Sequence, residues 1–176
     1  GIIALSACLA GEIPKLISRG REDDARKAAQ KYKDLFGDDS FYLDLQNHGI
    51  PEQKYVNQVL VKIGKELDIP LVATNDIHYI NAEDAKAHDI LLCIQTGKPV
   101  SDPDRMRYEG GQFFLKSEDE MKALFPYAID AVENTGKIAD MCDMEIKFGE
   151  TKLPEYPVPN QMSAKEYLES LCQSGF

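Results

Sequence analysis

The stretch that decides the fold is Phe41-Tyr42-Leu43-Asp44-Leu45-Gln46, a dense run of aromatic and aliphatic residues. Its length is typical of a strand, and the turn-forming residues Asn47-His48-Gly49 follow it directly. The preceding segment, Arg21 to Gly37, carries apolar residues at helical spacing and ends in a glycine. We therefore predict an amphipathic helix followed by a strand.

The same alternation extends to both sides of this pair. The opening run, residues 2–6, predicts a short buried strand that ends before Gly11. After the central strand, helical periodicity over residues 52–68 predicts a helix, and residues 70–75 predict a third strand. A further helix is expected from Ala82 to about Thr96. Strands that alternate with helices favour parallel pairing, so the sequence predicts an α/β fold.

The character of the sequence changes after this third unit. Residues 99–111 are rich in proline, glycine, aspartate and arginine, which predicts a long loop before a short strand at 113–116. A capping box at Ser117 predicts a short helix to Phe125, and a further helix is expected over 127–141.

The C-terminal residues predict a separate segment. Prolines punctuate residues 153–159, which favours an extended connector, and a capping box at Ser163 starts one more short helix. We expect the α/β body to end near Gly149. The predicted division is therefore residues 1–149 and 150–176.

Composition narrows the classes of function. The 176 residues fit one ordinary domain or part of a larger one. The net charge of −10 makes the surface as a whole repel DNA or an acidic membrane, so any nucleic-acid contact must be local, metal-bridged or made outside this chain. Four scattered cysteines without CxxC pairing favour reduced thiols and a cytoplasmic location. No apolar stretch approaches the ~20 residues of a membrane span.

Chemistry-bearing side chains follow each predicted strand. Cys8 follows the first, His48 the second, and Asn75-Asp76-Ile77-His78 the third. In β/α folds, ligands bind at the carboxyl ends of parallel strands. Side chains at i and i+2 of an extended backbone project to the same side, so Asp76 and His78 form a candidate chelating pair for Zn, Mn or Fe. Cys8 would add a thiolate, which favours zinc-like metals.

Each candidate also has a purely structural alternative. Cys8 fits a small buried residue, His48 fits a turn whose hydrogen bonds it satisfies, and Asp76 fits an anchor for the next helix. His88 lies beside Leu91 on a predicted helix face and fits a hydrogen-bonded core histidine better than a ligand. Residue types and spacing alone leave these alternatives open.

Several segments, taken together, resemble the PHP (polymerase and histidinol phosphatase) domain, in the form found in the DnaE-type α subunits of bacterial DNA polymerase III. The resemblance runs in register over nearly the whole chain. It is carried by Leu5 to Pro14, Tyr42 to Gln53, Val72 to Tyr79, Ala87 to Gly97 and Phe114 to Ser117.

The resemblance implies a fold, a site and a reaction. PHP domains are distorted (β/α)7 barrels with a cluster of metal ions, Zn, Mn or Mg, at the strand ends, used for phosphoester hydrolysis. Cys8 matches a position that supplies a Cys or His ligand, and Asp76 and His78 match the final D-x-H motif. Asp76 and His78 are thereby the expected catalytic residues, with His48 and Asn75 as candidates for orienting them.

The resemblance also has a gap. The early H-x-H and T-D-H motifs of the family have no counterpart here, so we expect residues 1–149 to be the C-terminal half of a PHP domain, with an incomplete metal cluster. We expect 150–176 to connect toward the polymerase palm. The fragment alone is expected to be inactive, and its open sheet edge favours self-association.

The function implied for the parent is that of a bacterial, cytoplasmic DNA-directed DNA polymerase with a possible 3′–5′ proofreading exonuclease in the PHP domain. Its expected partners are DNA, the other domains of the α subunit and other replicase subunits, and no membrane. Two alternatives remain: a catalytically silent PHP scaffold that stabilises the polymerase, and a small-molecule phosphatase of the histidinol phosphate type.

Overall fold

A computed structural model describes residues 1–150, 153–154 and 156–176. The described chain forms two compact units, Gly1–Cys142 and Asp143–Phe176. The predicted connector includes Thr151, Lys152 and Glu155, which lie outside the described residues. The predicted boundary at residue 149 stays a prediction.

The first unit is built on a three-stranded parallel sheet, as the alternation of strands and helices predicts. Its strands are β1 (Ala4–Leu5), β2 (Phe41–Leu45) and β3 (Leu71–Ala73), in the spatial order β1-β2-β3. In the parallel register, Ala4 pairs with Phe41 and Leu43 pairs with Leu71. The mixed α/β class is therefore confirmed.

Among the described residues, the first unit contains six α-helices and the second unit contains one. They are α1 (Glu12–Ser18), α2 (Glu22–Phe36), α3 (Pro51–Leu67), α4 (Ala85–Thr96), α5 (Glu118–Leu124), α6 (Ile129–Met141) and, in the second unit, α7 (Ala164–Gly175). The capping boxes at Ser117 and Ser163 are both formed, and each serine accepts a hydrogen bond from a backbone N–H of the first turn. No helix in the described parts of the chain is long and apolar enough to cross a membrane.

The first strand, expected to be buried, is partly exposed, and two further local expectations differ from the structure. Helix α1 occupies residues where the sequence predicts only a turn, because seven residues are too few to display a helical period. The strand expected at 113–116 is a single bridge between Tyr79 and Phe114. Phe113 is nevertheless buried, because it packs against side chains and not against a further strand.

The core lies on both sides of the central strand. All five residues of β2 are buried, as expected of a parallel strand covered by helices on both faces. Leu43, Leu60 and Phe125 are among the side chains with no exposed surface. Helix α6 is joined to β3 by a hydrogen bond of 2.8 Å from the Asn134 side-chain amide to the Leu71 carbonyl. This packing fixes the strand ends that carry the candidate site.

Candidate functional site

The carboxyl ends of the three strands form one polar edge of the sheet. The backbone N–H of Ser6 donates to Tyr42, and that of Thr74 donates to Leu45, so the parallel pairing continues one residue past β1 and β3. Ser6 and Gln46 are buried here, and Thr74 is half-buried. This edge is where the sequence places its candidate ligands.

Asp76 and His78 lie in contact at this edge. The Asp76 Oδ1 atom is 3.4 Å from His78 Nε2, and both side chains reach solvent, with exposed fractions of 41% and 28%. The expectation that an extended backbone aligns them is wrong, because β3 ends at Ala73 and Asp76 has a left-handed φ of 44°. A tight bend at Asp76 brings the carboxylate and the imidazole together instead.

Cys8 does not join this pair in a group that could hold a metal ion. Its loop is closed by a hydrogen bond of 2.8 Å from the Gly11 N–H to the Cys8 carbonyl, and a side chain at Gly11 would clash with the Ser6 carbonyl. The half-buried Cys8 shares a small cavity with Asp44. Within the described residues, no three His, Cys, Asp or Glu side chains are arranged to hold a metal ion. The chain therefore does not assemble Cys8, Asp76 and His78 into one ready-made ligand set.

Asp44 is a carboxylate inside the sheet that the sequence patterns do not single out. It is 6% exposed, and its Oδ1 accepts a hydrogen bond of 2.8 Å from the Thr74 hydroxyl, while Gln46 lies 3.5 Å from Oδ2. Burial is the main cause that raises the pKa of Asp44 to about 6, and the charge of Asp76 adds to it. A carboxylate within a strand of otherwise apolar residues was the signal that could have revealed it.

His48 is the centre of a hydrogen-bond network with Gln53 and Asn75, which we call the hub, beside the Asp76 bend. The backbone N–H of His48 donates to Gln53 Oε1 at 2.7 Å, so the amide nitrogen of Gln53 faces His48 Nδ1 at 2.9 Å. Nδ1 must then accept, and Nε2–H donates to the Asn75 carbonyl at 2.8 Å. Burial lowers the pKa of His48, which favours this neutral form.

Asn75 extends the hub to the segment after α4. Its side-chain amide donates to the Phe114 carbonyl at 2.6 Å, and its Oδ1 accepts from Lys116 Nζ at 3.3 Å. The ring of Phe113 stacks on His48, with centroids 4.1 Å apart. The residue before Asp76 is thus held at its backbone carbonyl and at its side chain.

These donors fit part of a divalent metal site. A carboxylate and an imidazole side by side are suitable ligands for Zn or Mn, and both side chains are accessible to an ion from solvent. A closed zinc site commonly uses about four protein ligands. The pair is consequently a partial ligand set.

Comparison with known proteins bears on this site. Residues 1–48 match the PHP domain family. The chain is 44% identical over 99% of its length to the DNA polymerase III subunit alpha of Treponema pallidum, and 46% and 41% identical over 99% to those of Borreliella burgdorferi and Thermus aquaticus. It spans 15% of the length of each of these relatives. The chain is therefore homologous, over nearly its whole length, to a segment of DNA polymerase III α subunits, and this segment begins with a match to the PHP domain.

Proposed function

We propose that this chain is part of a bacterial replicative DNA polymerase and that its strand ends contribute to a metal-dependent phosphoesterase site. The contact between Asp76 and His78 carries this proposal, because it puts two metal-ligating groups at the open edge of a parallel sheet. The relatives named above support the polymerase assignment. The parent would be a cytoplasmic DNA-directed DNA polymerase that works with DNA and other replicase subunits.

The site would act on a phosphodiester at the 3′ end of a DNA strand. Divalent ions, when bound, would polarise the phosphodiester and generate a nucleophile from water. Asp76 and His78 would be the catalytic ligands, Cys8 would contribute from the loop that follows β1, and further ligands would come from the rest of a (β/α)7 PHP barrel. Residues 150–176 would connect this domain toward the palm.

The hub around His48 would keep the ligands in place. His48 and Asn75 are not among the proposed ligands, but they hold the backbone that enters the Asp76 bend. Hydrogen bonds that orient ligands from outside the coordination sphere typically change metal affinity by 10-fold to 100-fold. The fold would thus hold Asp76 and His78 in position before a metal ion binds.

Bound cations would also address the repulsion between an acidic chain and DNA. The 176 residues carry a net charge of −10, and Asp44 and Asp76 place two carboxylates near each other at the strand ends. Divalent ions in this position would reverse the local field that a phosphate meets.

A catalytically silent scaffold is the second candidate. It is favoured by the position of Cys8, since no three-residue ligand set exists among the residues with a described structure. In that case the first unit would only stabilise the polymerase.

The full-length protein that contains this segment distinguishes the two functions. We expect Asp76→Asn and His78→Ala to reduce removal of a 3′-mismatched nucleotide in the presence of Mn²⁺ by roughly 100-fold, because each removes a ligand. Primer extension on matched DNA should stay within about twofold of the wild-type rate. Asp140→Asn, an exposed carboxylate on α6, is the matched control. Equal exonuclease activity in all four proteins would contradict a phosphoesterase site and would favour the catalytically silent scaffold.

A further inference from the structure

We propose that Tyr108 is a positioning residue for the His78 imidazole and that the loop of residues 97–108 is a strap fixed on α4 for this purpose. The inference deepens the proposed function and rests on it where metal affinity is concerned. The packing of Tyr108 on His78 can be tested without any metal.

Tyr108 forms one wall of the space around His78. The two ring centroids are 4.3 Å apart, and their planes meet at 53°. Phe113 contacts His78 edge-on at 5.7 Å and Tyr108 at 4.9 Å. His88 closes the group from α4, at 5.3 Å from His78 and 5.2 Å from Tyr108. The imidazole is therefore confined by rings on several sides, although its edge reaches solvent.

The strap contains no helix or strand, and one arginine fixes it. Arg105 is 3% exposed, and its two terminal nitrogens donate to the two carboxylate oxygens of Asp89 on α4, each at 2.6 Å. Its Nε donates to the Val100 carbonyl at 3.2 Å, so the guanidinium also closes the loop on itself. A bidentate arginine–carboxylate pair fixes orientation as well as distance.

Arg105, which fixes the strap, and Tyr108, which contacts His78, are three residues apart along the chain. Asp89 follows His88, so the helix that receives Arg105 also contributes a ring to the group around His78. The Arg105–Asp89 pair thus determines where the strap places Tyr108. Tyr108 does not separate His78 from Asp76, since Asp76 Oδ1 lies 3.4 Å from His78 Nε2. Tyr108 therefore restricts the His78 ring without displacing the Asp76 carboxylate from it.

Histidine ring resonances of the 176-residue chain measure this contact directly, because the chain has three histidines and single substitutions assign them. We expect Tyr108→Ala and Arg105→Met to shift the His78 Cε1–H resonance, since the ring current of Tyr108, whose centroid lies 4.3 Å from that of His78, is removed or displaced. Tyr108→Phe, which keeps the ring, should leave the resonance in place. Thermal unfolding curves of both proteins check that they are folded. If the His78 resonance is then the same in wild type and Tyr108→Ala, the proposal is overturned.

Metal affinity of the full-length protein gives the second readout. We expect Tyr108→Ala to weaken Mn²⁺ binding by about tenfold, and Tyr108→Phe to restore it. Wild-type affinity in Tyr108→Ala, when Asp76→Asn has lost binding, would overturn the positioning role. If wild type and Asp76→Asn bind Mn²⁺ equally, the proposed function fails, and the resonance shifts alone then decide whether Tyr108 positions His78.

Discussion

Replacement of His48 by alanine is expected to lower the free energy of unfolding by about 3 to 5 kcal/mol. The side chain is 2% exposed, stacks on Phe113, and hydrogen-bonds through both ring nitrogens. Alanine leaves a cavity of ring size. It also leaves the Gln53 amide and the Asn75 carbonyl without their partner in a buried place, which adds the desolvation penalty of unpaired polar groups.

Urea unfolding of the 176-residue chain measures this loss. His88→Ala is the matched control, because His88 is half-buried and its removal should cost about 1 kcal/mol or less. Gln53→Leu should fall between them, since it keeps the volume but removes both hydrogen bonds between Gln53 and His48. A loss below 1 kcal/mol for His48→Ala would contradict the hub that we describe.

The second large effect concerns Asp44 and pH. Its pKa is raised to about 6 in the folded chain, against about 4 in an unfolded one. A raised pKa means that the folded state binds the proton more tightly, so this contribution to stability is complete below about pH 4 and is lost as the pH rises through 6. From pH 7.5 to pH 4, we expect wild type to gain about 2 to 3 kcal/mol relative to Asp44→Asn.

The difference in free energy of unfolding between wild type and Asp44→Asn separates the contribution of Asp44 from those of the other carboxylates. Unfolding of both by urea at a series of pH values gives the curve. Asp76→Asn should reduce the gain, because the charge of Asp76 contributes to the raised pKa of Asp44. Parallel pH profiles for wild type and Asp44→Asn would show that Asp44 is ionised as easily in the folded chain as in the unfolded one.

The helices could be predicted where apolar residues recur at helical spacing. Helices α2 and α3 have apolar residues at helical spacing over about four turns, and their predicted ends lie within a residue of those observed. Helix α4 shows the limit of such patterns. Leu91 is 60% exposed although it was expected to share an apolar face with His88, and the buried residues of the helix are Leu92 and Cys93.

The candidate site could be predicted in its residue types but not in its arrangement. The D-x-H spacing identifies Asp76 and His78, yet the contact depends on a left-handed residue that no local pattern requires of an aspartate. The burial of Asp44 could not be predicted, because strand propensity does not reveal which faces of β2 are covered by helices. Tyr108 lies 30 residues from His78 in the sequence, and no local pattern predicts that the Arg105–Asp89 pair and the packing of Phe113 hold the two rings together.

The metal content of the full-length protein tests the central claim most directly. Protein equilibrated with Mn²⁺ or Zn²⁺ and freed of excess ion should retain divalent metal, and Asp76→Asn combined with His78→Ala should lose about one ion per chain or more. Asp140→Asn should retain the wild-type content, and all three proteins should unfold at similar temperatures without added metal. Equal metal content in wild type and the double variant would contradict a metal site at Asp76 and His78.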